Sequence, residues 1–273
     1  MRTVTYGHGT ENDFLLLFDE QNQIDLSPER IATLCSRGSR AGSVGRPGAD
    51  GFIRITRNAS GKNWFMDYRN ADGSLAEMCG NGIRVMARYL VDRGHQGAGI
   101  FAIDTRDGLK YLAVPEVGEI SVNMGKVLDL SDVDGTATIL QSGHEWKSFN
   151  INVGNPHAVA IILDLAQVSE LTSAPGVIPA DIYPEGVNIE FAQIIGDNEV
   201  QMRVFERGSG ETRSCGTGIC AVALAANIYS KRSLPAKWII NPPGGRLTVE
   251  LDPHSNATLT GAAIIVQDFE VEI

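Results

Sequence analysis

The chain has 273 residues, 43% hydrophobic and 21% charged, a composition typical of a globular protein long enough for two domains. Its formal net charge of −10 disfavours nucleic-acid binding, which usually requires a basic surface. No apolar run is long enough to cross a bilayer and no signal-peptide pattern opens the chain, so we expect a cytoplasmic protein with no membrane or nucleic-acid partner.

Short apolar and alternating segments predict strands along most of the chain. In the first half these segments are TVTY, FLLLF, GFIRI, FAIDT and YLAV. Ser27 and Pro28 form a helix start before IATLC, and a second helix is predicted at Ile83–Asp92. Between the first helix and GFIRI, the stretch CSRGSRAGSVGRPGADG predicts a loop that contains Arg37, Arg40 and Arg46.

The second half repeats this strand-rich pattern. Its predicted strands are EISVNMG, FNINVG, AVAIIL, NIEFAQII, QMRVFER, LTVEL and AAIIVQ. LAQVSEL predicts a short helix. A longer helix at Ile219–Ser230 is apolar nearly all round, which is typical of a helix enclosed by a sheet. We therefore predict an α+β fold of two pseudo-symmetric halves, each a curled, mostly antiparallel sheet or barrel around a buried helix. The halves are residues 1–117 plus 263–273, and residues 118–262.

One short phrase occurs twice, as MCGNGIR around Cys79 and SCGTGIC around Cys215. Met66 and Met202 stand at the same distance, thirteen residues, ahead of the two cysteines. Each cysteine directly precedes a predicted helix, whose first N–H groups lack partners within the helix and favour negative charge. A thiol in this position ionises more easily, and the thiolate is its reactive form. The repeat therefore predicts two reactive thiols that face one pocket.

Other interpretations of the cysteines stay open on these grounds. A single cysteine is usually a small buried hydrophobe, which is the interpretation for Cys35 and Cys220. Cys79 and Cys215 could form a redox pair, or one could be a nucleophile with a histidine as its base. A nucleophile explains only one cysteine. The matched pair therefore favours a two-base reaction, in which one thiolate removes a proton from a carbon and the other thiol protonates the opposite face.

The sequence also bears on cofactors. No lysine lies in a glycine-rich anion-binding turn, and there is no Walker motif, no GxGxxG after a strand and no clustered His/Cys spacing. We therefore expect neither a cofactor nor a metal. Oriented helix N–H groups and a dry site would then have to stabilise the carbanion-like charge.

At these motifs the chain resembles the diaminopimelate epimerase family, which carries CGNG in its first half and ETxxCG[S/T]G in its second. The matching segments are GTENDF, YRNADGS, CGNG, GNPH, PEGVNIEF, FERGSGETRSCGTG and NPPGG. The wording MDYRNADGSLAEMCGNG resembles the actinobacterial branch most. The resemblance implies epimerisation of LL- to meso-diaminopimelate, a diamino diacid, on the lysine and peptidoglycan route without cofactor or metal. A homodimer is compatible with it.

Position by position, the resemblance implies that Cys79 and Cys215 are the acid/base pair and that His157 supports the site. It implies that Glu206 binds an ammonium group. The substrate carboxylate at the reacting carbon would be bound by the backbone N–H groups of Gly80, Asn81, Gly216 and Thr217. The other implied substrate-binding residues are Asn12, Asn70, Asn155, Asn188 and Arg207.

These residue types suit a substrate with two amino-acid ends, because asparagine both donates and accepts hydrogen bonds and arginine can bind a carboxylate through two of them. A lone asparagine, however, is more often a turn or cap residue, and Asn70 in Asn-Ala-Asp-Gly is the strongest such case. Asp67 and Asp104 are interpreted as surface charges.

The chain departs from the family in the long arginine-containing loop before Gly51, where many relatives have glutamine, so a substrate contact there is in doubt. The rival interpretations are a proline- or hydroxyproline-type two-thiol racemase and a catalytically silent binding or redox-sensing relative.

Overall fold

The computed structural model describes residues 1–37 and 48–273. These fall into two compact units, Met1–Val122 with Gly261–Ile273, and Asn123–Thr260. The domain limits predicted from the sequence, at 117/118 and 262/263, stay predictions. Arg40 and Arg46 of the predicted loop lie outside the described residues.

The described residues form three α-helices, two single turns of 3-10 helix and nineteen strands. The helices are α1 (Pro28–Cys35), α2 (Gly80–Asp92) and α3 (Gly216–Tyr229). The strands up to the first residues of the second unit are β1 (Arg2–Gly9), β2 (Asn12–Phe18), β3 (Gly51–Arg57), β4 (Trp64–Asn70), β5 (Gly99–Thr105), β6 (Gly108–Val114) and β7 (Ile120–Lys126). The remaining strands are β8 (Leu128–Asp129), β9 (Thr138–Gln141), β10 (His144–Asn152), β11 (Pro156–Ile161), β12 (Gly176–Ile178), β13 (Asn188–Gly196), β14 (Glu199–Glu206), β15 (Gly210–Thr212), β16 (Ala236–Asn241), β17 (Leu247–Leu251), β18 (Asn256–Gly261) and β19 (Ile264–Val271).

The two units share one strand topology. In the first, the successive neighbours β1–β2, β2–β3, β3–β4, β4–β5 and β5–β6 pair antiparallel, parallel, antiparallel, parallel and antiparallel. In the second, β10–β11, β11–β13, β13–β14, β14–β16 and β16–β17 follow the same alternation. The predicted pseudo-symmetry of the fold is therefore confirmed, and it extends well beyond the two cysteine phrases.

Each unit wraps its sheet around one long helix. Helix α2 packs against β1, β2, β3, β4, β6 and β19, while α3 packs against β10, β11, β13, β16 and β17. The α+β class with a buried central helix is therefore confirmed. The alternative of a closed barrel is wrong for the first unit, because β7 and β19, the last two of its strands along the chain, do not pair with each other in the described part of the chain. The sheet stays open and curled.

The helix ends follow local rules. Ser27 caps α1 by accepting a hydrogen bond from the backbone N–H of Arg30 at 3.3 Å, as its position before Pro28 predicted. Helices α2 and α3 begin three residues before the predicted Ile83 and Ile219. The prediction started late because glycines, which have low helix propensity, occupy the first turn of each helix. The predicted LAQVSEL helix is wrong, since only Leu165–Gln167 forms a single 3-10 turn. None of the helices in the described ranges has the length and apolar character needed to cross a membrane.

The interpretation of Asp67 as a surface charge is wrong. This residue of β4 is 4% exposed, and its carboxylate binds Arg54 at 2.9 Å, Arg69 at 3.2 Å and also Arg106. Burial alone would raise the pKa of Asp67, but the hydrogen bonds from Arg106 and Arg69 outweigh it and lower this pKa. Asp104 is partly buried as well and accepts hydrogen bonds from two asparagine amides.

We expect Asp67→Asn to lower the free energy of unfolding by about 3 kcal/mol, because three arginines lose their common buried partner. Since the folded pKa of Asp67 is lowered, its stabilisation is present above the ordinary carboxyl pKa and is lost as the pH falls through the folded value. Urea unfolding at pH 7, and at a series of pH values below the ordinary carboxyl pKa of 3.8, measures both effects. Glu250→Gln is the matched control, because its ion pair with Lys237 is exposed and should be worth less than about 1 kcal/mol. Equal effects of the two variants would contradict the prediction.

Candidate active site

Cys79 occupies the residue before the first turn of α2. Its backbone is extended, with φ of −130°, and its sulfur accepts a hydrogen bond from the backbone N–H of Gly82 at 3.4 Å. The same thiol donates to Oδ1 of Asn12 at 3.6 Å. Cys79 therefore caps the helix through its sulfur, as the sequence predicted for a cysteine at this position, and it is partly exposed.

The predicted residues Asn12, Gly80 and Asn81 lie together beside Cys79. Asn12 begins β2, and its Oδ1 accepts a second hydrogen bond from Nδ2 of Asn81 at 3.1 Å. Arg84, which is fully buried one turn into α2, donates to Asn81 Oδ1 and to the Gly80 carbonyl, each at 3.0 Å. The side chain of Asn81 is thus used to build the site, which leaves its backbone as the part available to a substrate.

Asn70 is placed differently. It ends β4, its Nδ2 donates to Ser74 Oγ at 3.0 Å, and its backbone N–H donates to the Ser74 carbonyl, also at 3.0 Å. Gly73 in turn donates to the Asn70 carbonyl. These are the hydrogen bonds of a turn, which is the alternative that the Asn-Ala-Asp-Gly sequence suggested. A substrate contact of Asn70 stays a prediction.

Cys215 occupies the equivalent position before α3, with φ of −122°. It is 7% exposed, and its sulfur lies 3.5 Å from Oγ1 of Thr217. Burial raises the pKa of this thiol well above its ordinary value, and the nearby carboxylates of Glu206 and Glu190 raise it further. The environment of Cys215 therefore favours the protonated thiol until one of these charges is removed.

Glu206 ends β14 and reaches the Cys215 sulfur. Burial raises the pKa of the Glu206 carboxyl group. Hydrogen bonds from Thr212 and from the Cys215 thiol lower this pKa and partly offset the effect of burial. The thiol and the carboxyl group thus form a hydrogen-bonded pair in which both members resist ionisation. This pair can hold a proton at either the sulfur or the oxygen.

The predicted residue Arg207 directly follows Glu206, and the predicted residue Asn188 contacts the backbone of Arg207. Asn188 begins β13, where its Oδ1 accepts from the Arg207 backbone N–H at 3.0 Å and its Nδ2 donates to the Pro156 carbonyl at 3.1 Å. The guanidinium of Arg207 is exposed and donates to the Glu185 carbonyl at 3.1 Å. Asn188 therefore fixes the backbone that carries Arg207, and the charged end of Arg207 stays accessible.

A chain of polar side chains continues inward from Thr217. Asn155 donates from Nδ2 to Thr217 Oγ1 at 3.4 Å, and its Oδ1 lies 2.9 Å from Nε2 of His157. Nδ1 of His157 lies 2.7 Å from Glu190 Oε1, and both of these residues are fully buried. A buried carboxylate, an imidazole, an amide and a hydroxyl therefore connect in sequence to the Cys215 sulfur.

Sequence reasoning missed Glu190. The available signal was a single carboxylate inside the otherwise apolar strand segment NIEFAQII, since an acidic residue is rarely fully buried without a partner. Its position also explains a glycine of the repeated phrase. A Cβ added at Gly218 would lie 2.6 Å from Glu190 Oε1, so only glycine lets this turn of α3 approach the carboxylate.

Asp50 was also missed. Its Oδ2 accepts from Nδ2 of Asn12 at 2.9 Å, and its Oδ1 lies 2.7 Å from Arg37 Nη2. Asp50 belongs to the GADG segment that ends the predicted loop, and the sequence alone does not show that this segment contacts the start of β2. Among residues 1–37 and 48–273, no group of three or more His, Cys, Asp or Glu residues has the spacing to hold a metal ion.

Solved structures with the same architecture come from several families. A PhzF-family phenazine biosynthesis protein from Bacillus anthracis matches with a TM-score of 0.71, at 16% identity over 100% of both chains. A hydroxyproline epimerase from Agrobacterium vitis, crystallised with trans-4-hydroxy-L-proline, matches with a TM-score of 0.67, at 15% identity over 98% of this chain and 90% of that one. At these identities the likeness shows the fold, which is the two-domain fold shared by these isomerases and PhzF-type proteins.

Sequence comparison identifies the family within that fold. The family model for diaminopimelate epimerase matches residues 4–128 and 149–266. The diaminopimelate epimerases of Streptomyces coelicolor and Thermobifida fusca are 44% and 42% identical to this chain, covering 97% and 98% of it and 94% and 97% of their own lengths. That of Corynebacterium glutamicum is 38% identical over 98% of this chain and 97% of its own. The chain belongs to the diaminopimelate epimerase family and is an enzyme of the isomerase class, as its repeated cysteine phrases predicted.

Proposed function

We propose that the chain interconverts LL- and meso-diaminopimelate by a two-base reaction in which Cys79 and Cys215 act on opposite faces of one α-carbon. The observation that carries this proposal is the equivalent placement of the two cysteines, each at the N-cap position of the central helix of its unit. Family membership supplies the substrate class, a small diamino diacid on the route to lysine and peptidoglycan precursors.

The reaction needs one thiolate and one thiol. The thiolate takes the α-proton and becomes a thiol, while the other thiol gives its proton to the opposite face of the carbon and becomes a thiolate. The two sulfurs have then exchanged states, which suits catalysis in both directions. We propose that the first backbone N–H groups of α2 and α3, at Gly80–Asn81 and Gly216–Thr217, bind the α-carboxylate and stabilise the charge that spreads into it.

The neighbours of Cys215 suggest how its proton is handled. Glu206 accepts a hydrogen bond from this thiol, so we propose that the ionised carboxylate attracts the substrate ammonium group, and that it becomes neutral when it takes the thiol proton and leaves the sulfur as a base. Through Asn155 and Thr217, His157 supports the sulfur from the interior. The accessible guanidinium of Arg207 would bind a substrate carboxylate, with Asn12, Asn70, Asn155 and Asn188 as further polar contacts.

The proposal also covers cofactors, location and assembly. A reaction carried by two thiols requires no cofactor or metal. A location in the cytoplasm, a homodimeric assembly and the lack of a nucleic-acid partner stay predictions made from the sequence.

Incubation with LL-diaminopimelate in deuterium oxide tests the proposed reaction. We expect the meso isomer to accumulate to equilibrium and to carry one solvent deuterium at the inverted carbon, because the incoming proton comes from a thiol that exchanges with solvent. Chiral chromatography coupled to mass spectrometry measures both results, and pretreatment with EDTA should leave the rate unchanged. Product without deuterium would exclude the two-base route.

The same assay separates the rival substrates. L-Proline and trans-4-hydroxy-L-proline should remain unchanged under conditions that convert LL-diaminopimelate, because the hydroxyproline epimerase shares the fold at only 15% identity. Inversion of either compound at a comparable rate would instead favour a racemase of that type. Absence of turnover with all three would favour the catalytically silent alternative.

A further inference from the structure

We propose that Asp50 is a positioning residue for Cys79, and that Arg37 fixes Asp50 for this purpose. The hydrogen-bonded series runs from Arg37 through Asp50 to the side-chain amide of Asn12 and from there to the thiol. The part of this inference that concerns turnover rests on the proposed epimerase function, whereas the part that concerns the thiol itself does not.

Asp50 determines which way the Asn12 amide points. A carboxylate can only accept hydrogen bonds, so its contact at 2.9 Å requires the NH₂ end of Asn12. The oxygen of Asn12 must then face the other side, where it accepts from the Cys79 thiol at 3.6 Å and from Asn81 Nδ2 at 3.1 Å. The reversed amide would set its oxygen against the carboxylate and its NH₂ against that of Asn81, so it is disfavoured at both ends.

Arg37 in turn fixes the carboxylate. Its guanidinium binds Asp50 at 2.7 Å and Asp13 at 2.5 and 3.0 Å, so one cation bridges two neighbouring carboxylates. Backbone hydrogen bonds tie the same pair together, from the Asp50 N–H to Asp13 Oδ1 at 2.8 Å and from the Asp13 N–H to Asp50 Oδ2 at 3.3 Å. Tyr6 donates to Asp13 at 2.8 Å. Arg37, near the start of the long loop, therefore has two defined partners, Asp13 and Asp50. It acts on Cys79 through Asp50 and Asn12, without contacting the thiol itself.

Two opposing hydrogen bonds then act on the Cys79 sulfur. The Asn12 oxygen stabilises the thiol, since it accepts the S–H, and the Gly82 N–H stabilises the thiolate. A group that must alternate between acid and base benefits from contacts to both states. If Asn12 reversed, two N–H donors would face the sulfur and the thiolate would be favoured over the acid. The buried cation of Arg84 remains near the network in either case.

Alkylation of the thiols without substrate tests the positioning role directly. At pH 7, we expect Asp50→Ala to increase the rate at which iodoacetamide modifies Cys79 about fivefold, the factor that corresponds to one ordinary hydrogen bond. Cys215 is the internal control and should react as in the unchanged chain; digestion and mass spectrometry measure each cysteine separately. Asp50→Asn keeps an oxygen that can accept from Asn12, so it should give a smaller increase than Asp50→Ala.

Turnover supplies the second readout. In the epimerisation assay, Asp50→Ala and Arg37→Ala should lower kcat more than they change KM, and Arg37→Lys should recover part of the loss because one cation still reaches the carboxylates. Arg93→Ala is the matched control, since it removes an exposed arginine from an ion pair with Asp268 at 2.7 Å in the same unit. Should Asp50→Ala fail to fold by circular dichroism, Asp50→Asn and Arg37→Ala carry the test.

The outcomes separate the two proposals. An unchanged Cys79 alkylation rate in the folded Asp50 and Arg37 variants would overturn the positioning role, even if turnover fell. An equal increase in Arg93→Ala would also overturn it, because the effect would then follow from general loosening. A selective increase at Cys79 would support the role even if LL-diaminopimelate proved not to be the substrate.

Discussion

Replacement of either Cys79 or Cys215 by alanine should abolish epimerisation in both directions, with a loss of about 10³-fold or more in kcat. Each thiol serves as the acid for one direction and as the base for the other, so a single missing sulfur removes a required proton transfer from both. The loss should appear in kcat, because alanine leaves the backbone N–H groups that would bind the substrate carboxylate. Rates of meso formation from the LL isomer, and of the reverse, measure the effect.

The chain offers its own controls for this experiment. Cys220 is fully buried within α3 and Cys35 is buried at the end of α1, so Cys220→Ala and Cys35→Ala should retain activity. Thermal unfolding should show that all four variants stay folded. Retained turnover in a folded Cys79→Ala or Cys215→Ala variant would refute the two-base reaction and would leave one cysteine as a nucleophile.

Features of the fold that depend on neighbouring residues were readable from the sequence. Ser27 before Pro28 predicts a helix start because the capping hydrogen bond is formed within three residues. The cysteines before α2 and α3 were placed by the same logic, and their repetition predicted two similar halves. The closed barrel was not correctly predicted, because closure depends on whether strands as far apart in the chain as β7 and β19 pair, and strand periodicity carries no such information.

The residues of the candidate site also differ in how far the sequence predicts them. The groups that touch each sulfur within the helix start, such as the Gly82 N–H and Thr217, follow from the CGNG and CGTG phrases. Glu190 lies on β13 and Asp50 directly precedes β3, and their roles depend on strand pairings that one sequence does not specify. Asp67 shows the same limit, because a charged residue in WFMDYRN looks like a surface position. In the structure Arg54 and Arg106 from other segments join its neighbour Arg69 around the carboxylate.

We expect Glu206→Gln to lower kcat by about 10² to 10⁴-fold, the range typical for loss of a general acid or base. The same change should make Cys215 more reactive towards iodoacetamide at neutral pH. Burial remains the largest cause of the raised pKa of this thiol, but the Glu206 carboxylate is the next. A neutral amide no longer repels the thiolate, so the pKa of Cys215 falls and the pH profile of its alkylation shifts downward.

The opposite directions of these two effects identify the role of Glu206. If Glu206 only bound the substrate ammonium group, Glu206→Gln would raise KM and leave kcat unchanged, even though loss of the carboxylate would still raise Cys215 alkylation. If it only held the protein together, alkylation of Cys79 and Cys215 would rise alike. Glu199→Gln is the matched control, because Glu199 begins the same strand β14 and its carboxylate pairs instead with Arg246 at 3.4 Å. A fall in kcat at unchanged KM, together with a rise in alkylation confined to Cys215, therefore indicates a carboxylate that acts on this sulfur's proton.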